Sequence, residues 1–257
     1  MDIAIVSITA FLAAIITFFS GFGLGTLLSP VLFLFFSVDV AIGITGIVHL
    51  FNNLFKVLLV GRFADKQVML QFGVPAVLSA ILGAMLLHAL ADLPVFFSYT
   101  LFDNLFKVYP VKFIVAVLLL IFISIEILPY FAKLAFNKNK LPIGGVLSGF
   151  FGGLTGTQGA LRSAFLIKAG LTKEAFVGTA AVVSTFVDVS RLSVYASKLN
   201  HTILTDNSAL LFSATISAIV GAYIGHKLLK KITLKTVQIF TTAMLALLSL
   251  ALGLGFI

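Results

Sequence analysis

The chain carries two copies of one pattern. Ser79–His88 (SAILGAMLLH) returns as Ser217–His226 (SAIVGAYIGH), and upstream Ser20-Gly21-Phe22 returns as Ser148-Gly149-Phe150. Each triplet opens a glycine-rich break in an otherwise apolar segment. Two halves of one membrane protein, each with a hydrophobic segment interrupted at the corresponding place, point to a binding site at the interruptions.

Composition enters at the question of the solvent. Apolar residues make up 60% of the chain and charged residues 10%, where a soluble domain has about a quarter charged. Apolar runs of membrane-spanning length recur throughout, with no room for a separate aqueous domain. The formal charge is +8, but the lysines sit in short loops between apolar runs. There they orient a membrane protein, so nucleic acid is not the expected partner. The absence of cysteine excludes disulfides, thiol catalysis and thiolate metal sites.

Eight apolar segments follow. The first repeat (1–131) holds a broken segment at 3–37 and helices at 40–60, 67–90 and 112–131. The second (141–257) holds a broken segment at 141–168 and helices at 174–197, 207–228 and 233–256. Backbone groups in lipid must be satisfied internally, so the spans are helices. The aromatic-rich connection 92–111 reads as a helix lying in the interface. If every segment crosses, the basic residues split six to eight between the two faces. If 3–37 and 141–168 are re-entrant, they split eleven to three, with Arg62, Lys66, Lys138, Lys140, Lys173 and Lys227 among the eleven. The second arrangement obeys the positive-inside rule. The expected fold is therefore an all-α polytopic membrane protein of two inverted repeats, each a broken re-entrant hairpin plus three transmembrane helices. It forms a single integral membrane domain.

The first break is Gly21-Phe22-Gly23-Leu24-Gly25-Thr26, with Pro30 in the apolar stretch beyond. The second runs Gly149 to Gly159, containing Gly156, Thr157 and Gln158, and is followed by Arg162, Ser163 and Ala164 in the place of Pro30. Each break should expose free N–H groups at the start of a half-helix. Two such ends meeting near the midplane make an anion cradle. Thr26, Thr157, Gln158 and Ser163 can add neutral donors, and Arg162 a full charge.

Setting Gly43 against Gly178 pairs His49 with Ser184, Asn53 with Asp188 and Lys56 with Arg191. His49, Asn52, Asn53 and Lys56 share one helical stripe, and Ser184, Asp188 and Arg191 share the matching one. Asp188 and Arg191 stand at i, i+3 and can pair. Ionisable residues within a membrane are costly and usually face a cavity. His49 and Ser184 are expected to line the anion site, with Lys56 and Arg191 as electrostatic guards of its two mouths. His49 and Asp188 are the candidates to carry a coupling proton. Gly83, Gly221 and Gly225 read as helix packing.

The pattern Ser-Gly-Phe-x-Gly-x-Gly before a proline-bearing half-helix, its return in the second half, and the stretches 152–165 and 187–195 resemble the TauE/SafE sulfite exporter family over essentially the whole chain. The resemblance implies a bacterial inner-membrane permease for sulfite or an organosulfonate. Leu24 and Gln158 interrupt the consecutive glycines usual in that family's breaks. The reading is a secondary transporter, with its lysine-rich loops cytoplasmic, and not an enzyme. A passive anion channel is the first alternative and an intramembrane enzyme the second. No cofactor and no metal are expected. The partners are a small anion and the lipid bilayer, with a homodimer left open.

Overall fold

A backbone that must satisfy itself in lipid coils, and the chain is mostly helical. The computed structural model describes residues 3–20, 23–127, 136, 138–196, 199, 201–228 and 234–256. The helices among them are α1 (Ile3–Ser20), α2 (Gly25–Leu32), α3 (Val38–Val60), α4 (Lys66–Ala91), α5 (Pro110–Ile127) and α6 (Leu141–Thr155). Then follow α7 (Gly159–Leu166), α8 (Lys173–Tyr195), α9 (His201–Asp206), α10 (Ser208–Leu228) and α11 (Leu234–Gly253). Four stretches in the described residues are long and apolar enough to cross a membrane: Val38–Phe63, Lys66–Ala91, Lys173–Tyr195 and Ser208–Lys227. Ile3–Phe18 and Pro110–Ser124 are apolar but shorter.

One element departs from an all-helical fold and corrects the expected interfacial helix at 92–111. Phe97–Leu101 (β1) and Asn104–Val108 (β2) pair antiparallel, Phe97 opposite Val108 and Leu101 opposite Asn104. The turn residues Phe102 and Asp103 both have positive φ, 49° and 61°, as a two-residue hairpin turn with right-handed strand twist requires. Alternating aromatic and polar residues favour a strand here. The Tyr99 hydroxyl donates to the Leu254 carbonyl at 2.7 Å, tying the hairpin to the end of α11.

Small residues set the helix packing. Gly145, Gly149 and Gly153 recur every four residues on α6. A Cβ at any of them would collide with the carbonyl oxygens of Phe72, Ala76 and Ala80 on α4. Such close approach is a common way for helices to associate in lipid. α1 packs on α10 in the same way, with Gly221 against the Phe11 carbonyl and Gly225 against the Phe18 Cβ. Elsewhere α3 packs on α8, and α5 on α11. The short α2 packs on α3 and α11, with every residue from Gly25 to Leu32 buried.

Candidate functional site

Helix α6 ends because Gly156 takes a left-handed conformation (φ +75°), its N–H donating to the Gly152 carbonyl at 3.1 Å. This is a glycine cap. The Thr155 and Thr157 hydroxyls meet at 2.7 Å, and the Ser148 hydroxyl donates to the Gln158 carbonyl at 3.2 Å, so side chains tie the turn before α7. The two breaks touch: a Cβ on Gly25 would stand 2.6 Å from the Gly156 carbonyl oxygen.

Beside this contact, α3 and α8 bring their polar stripes together around Asp188, which is fully buried. Its Oδ1 accepts from Arg191 Nε at 3.0 Å and Nη2 at 2.8 Å. Its Oδ2 lies 2.7 Å from His49 Nδ1 and accepts from Asn53 Nδ2 at 3.0 Å. A carboxylate only accepts, so His49 Nδ1 carries the hydrogen. The ring's Nε2 then faces the first break, where a Cβ on Gly23 would lie 3.0 Å away. That glycine keeps the approach to Nε2 open. The Tyr195 hydroxyl, one turn beyond Arg191, donates to the Gly153 carbonyl and fastens α8 to α6.

A recess opens on this cluster, lined by Gly23, His49, Asn53, Lys56 and Arg162, with Thr17 among its other walls. Arg162 reaches it from α7, one turn past the break, and its Nη1 donates to the Ser184 hydroxyl. Lys56 Nζ stands over the Phe18 ring at 5.5 Å from the centroid. A second cavity lies on the opposite flank of the breaks. Thr26, Thr157 and Gln158 face it together with Leu119, Phe122, Ile123 and Leu245.

The residues singled out from the sequence thus divide. His49, Asn53, Lys56, Arg162, Ser184, Asp188 and Arg191 form one connected buried cluster, with Gly23 at its edge. Thr26, Thr157 and Gln158 belong to the apolar-walled cavity, while Gly25 and Gly156 make the contact between the breaks and Gly159 opens α7. Ser163 is buried with no hydrogen bond to its hydroxyl, and Asn52 is buried with neither amide atom bonded. His49 meets Asp188 rather than its repeat counterpart Ser184. Gly21 lies outside the described residues. Sequence reasoning missed Thr17, Ser29, Thr45 and Tyr195. Tyr195 was detectable at i+4 from Arg191 on the same stripe, and Ser29 as the residue before Pro30. Among the described residues no group of His, Cys, Asp and Glu could hold a metal.

Broken helices that enclose buried charge between long apolar spans define a class, the multi-pass membrane transport proteins. Within it the chain belongs to the TauE/SafE family: the family model described as Sulfite exporter TauE/SafE matches residues 6–252. Comparison with curated proteins and with solved structures gives no match.

Proposed function

We propose that the chain is a secondary transporter exporting a small sulfur-containing anion, sulfite or an organosulfonate, by alternating access across a bacterial inner membrane. One observation carries this reading. The charged side chains of Lys, Arg, Asp and Glu buried among the described residues are Lys56, Arg162 and Arg191 against Asp188. Three cations face one carboxylate, and a buried excess of charge costs several kcal/mol unless it is answered. An anion in the recess would answer it.

The chemistry follows from the lining. Arg162 offers N–H donors in a planar fork suited to an oxyanion, Lys56 offers a point charge, and His49 Nε2 faces the same space. Protonating Nε2 adds positive charge beside Lys56, Arg162 and Arg191, with Asp188 on the ring's other nitrogen. Anion uptake into the recess therefore tightens as pH falls, which couples a proton to the anion. The packing supports two repeats, because exchanging the halves turns the α4–α6 contact into the α10–α1 contact and returns α3–α8 and α5–α11 to themselves, and the eleven-to-three split of basic residues supports their inversion. The basic loops then face the cytoplasm.

The test is flux from liposomes loaded with sulfite. Wild type should release sulfite faster when the lumen is more acidic than the outside, and Arg162→Ala and Lys56→Ala should slow release at least about tenfold. Release of only neutral or cationic solutes, or an Arg162→Ala rate equal to wild type, would overturn the reading. Flux that ignores every gradient and never saturates would make the protein a passive channel.

A further inference from the structure

We infer that the chain holds a second anion subsite, on the opposite side of Asp188 from the recess, built by Arg191 and Ser29 in front of Gly156, with Thr45 adjoining. It takes the same chemical class of ligand, an oxyanion of sulfur, and so rests on the anion-transport reading.

Arg191 gives Nε and Nη2 to Asp188, while its Nη1 is buried with no hydrogen-bond partner. The Ser29 and Thr45 hydroxyls are also buried and unpartnered. The Ser29 hydroxyl and Arg191 Nη1 turn toward one place. The point where a Cβ on Gly156 would stand is 3.3 Å from Ser29 Oγ and 3.5 Å from Arg191 Nη1. Thr45 adjoins it through Gly25, whose Cβ position is 3.3 Å from Thr45 Cγ2 and 2.6 Å from the Gly156 carbonyl oxygen. Leaving a buried donor unsatisfied costs about 1–3 kcal/mol, more for a charged group, and native structures rarely leave several together. A ligand with several acceptor oxygens and a negative charge satisfies both Ser29 and Arg191.

The internal repeat gives independent support. Setting Gly43 against Gly178 matches Lys56 to Arg191, Ala180 to Thr45 and Val177 to Ile42. Lys56, Ala180 and Val177 line the recess. Arg191 and Ile42 approach Gly156, and Thr45 adjoins it through Gly25. Setting Pro30 against Ala164 matches Ser29 to Ser163, whose hydroxyl is also buried without a partner. The second subsite matches part of the recess in the other half, with Arg191 in the place of Lys56, and is closed around Arg191 in this conformation. An anion entering at Arg162 and Lys56 passes Asp188 and leaves from Arg191 once that side opens.

The chain contains no cysteine, so single-cysteine reporters are clean. Ser29→Cys and Ala180→Cys proteins are placed in right-side-out and inside-out vesicles. They are labelled with a membrane-impermeant maleimide, with and without methanesulfonate. Thr45→Cys serves as a second reporter should Ser29→Cys not fold. We expect the Ala180 reporter to label from one face and the Ser29 or Thr45 reporter from the other. Methanesulfonate at about five times its half-saturating concentration should slow both about sixfold, and Ser29→Ala should raise that concentration about tenfold. Labelling of both reporters from the same face would overturn the second subsite. So would protection of Ala180→Cys alone, which leaves the anion-transport reading standing. Protection at neither position overturns both.

Discussion

The contact between the two breaks has two flanks, and they are built from different material. On the α3–α8 flank, hydrogen bonds join His49, Asn53, Asp188 and Arg191 and, separately, Arg162 and Ser184, and Lys56 and Arg162 share the recess with His49 and Asn53. On the α5–α11 flank, Thr26, Thr157 and Gln158 face Leu119, Phe122, Ile123 and Leu245. Both flanks adjoin the same glycine-rich turns. What separates them is what the long helices bring, and charge comes from α3 and α8, with Arg162 from α7. A half-helix end supplies a partial charge of about one half at most. Full charges decide which flank can hold an anion.

The comparison is most easily broken at Asp188. Asp188→Asn removes the carboxylate that receives Arg191, His49 and Asn53, leaving buried cations uncompensated. A loss of about 3–5 kcal/mol is expected, read as a large fall in thermal midpoint, with sulfite raising that midpoint more in the variant than in wild type. Arg162→Ala comes next: anion affinity should drop about tenfold or more, measured as the half-saturating sulfite concentration, with Arg162→Lys restoring part of it. His49→Gln should keep sulfite binding at neutral pH but flatten its rise toward lower pH, read from affinity at several pH values. The smallest effect belongs to the other flank, where Gln158→Leu, which removes a side-chain oxygen without a hydrogen-bond partner, should alter sulfite flux less than about twofold. A large loss at Gln158 with none at Arg162 would reverse the assignment of the two flanks.

Local geometry was legible in the sequence, and geometry set between helices was not. The i, i+3 spacing of Asp188 and Arg191 sufficed to anticipate their ion pair, because a helix surface fixes which residues are neighbours. The His49–Asp188 contact depends on how α3 and α8 rotate against each other, and an internal alignment of the halves matched His49 to Ser184 instead. The same alignment carried no sign that Thr157 and Gln158 turn away from Arg162, which sits four residues further on. Thr157 and Gln158 precede the first residue of α7, with Gln158 at φ −121°, so the helical spacing that places Arg162 does not extend to them. The hairpin at 97–108 was readable but was masked by its aromatic content. Phe97, Tyr99 and Leu101 alternate with Ser98 and Thr100, the period of a strand rather than of an interfacial helix. Membership of the TauE/SafE family, in contrast, was written in contiguous motifs, and the family match spans residues 6–252.

The most direct test of the account is calorimetric titration of sulfite into the purified protein, beside Arg162→Lys and Arg162→Ala. Wild type should bind sulfite saturably, the lysine variant more weakly, and the alanine variant with about a tenfold or greater loss of affinity. Equal binding by all three proteins, or none by wild type, would contradict the claim that an anion answers the positive charge buried around Asp188.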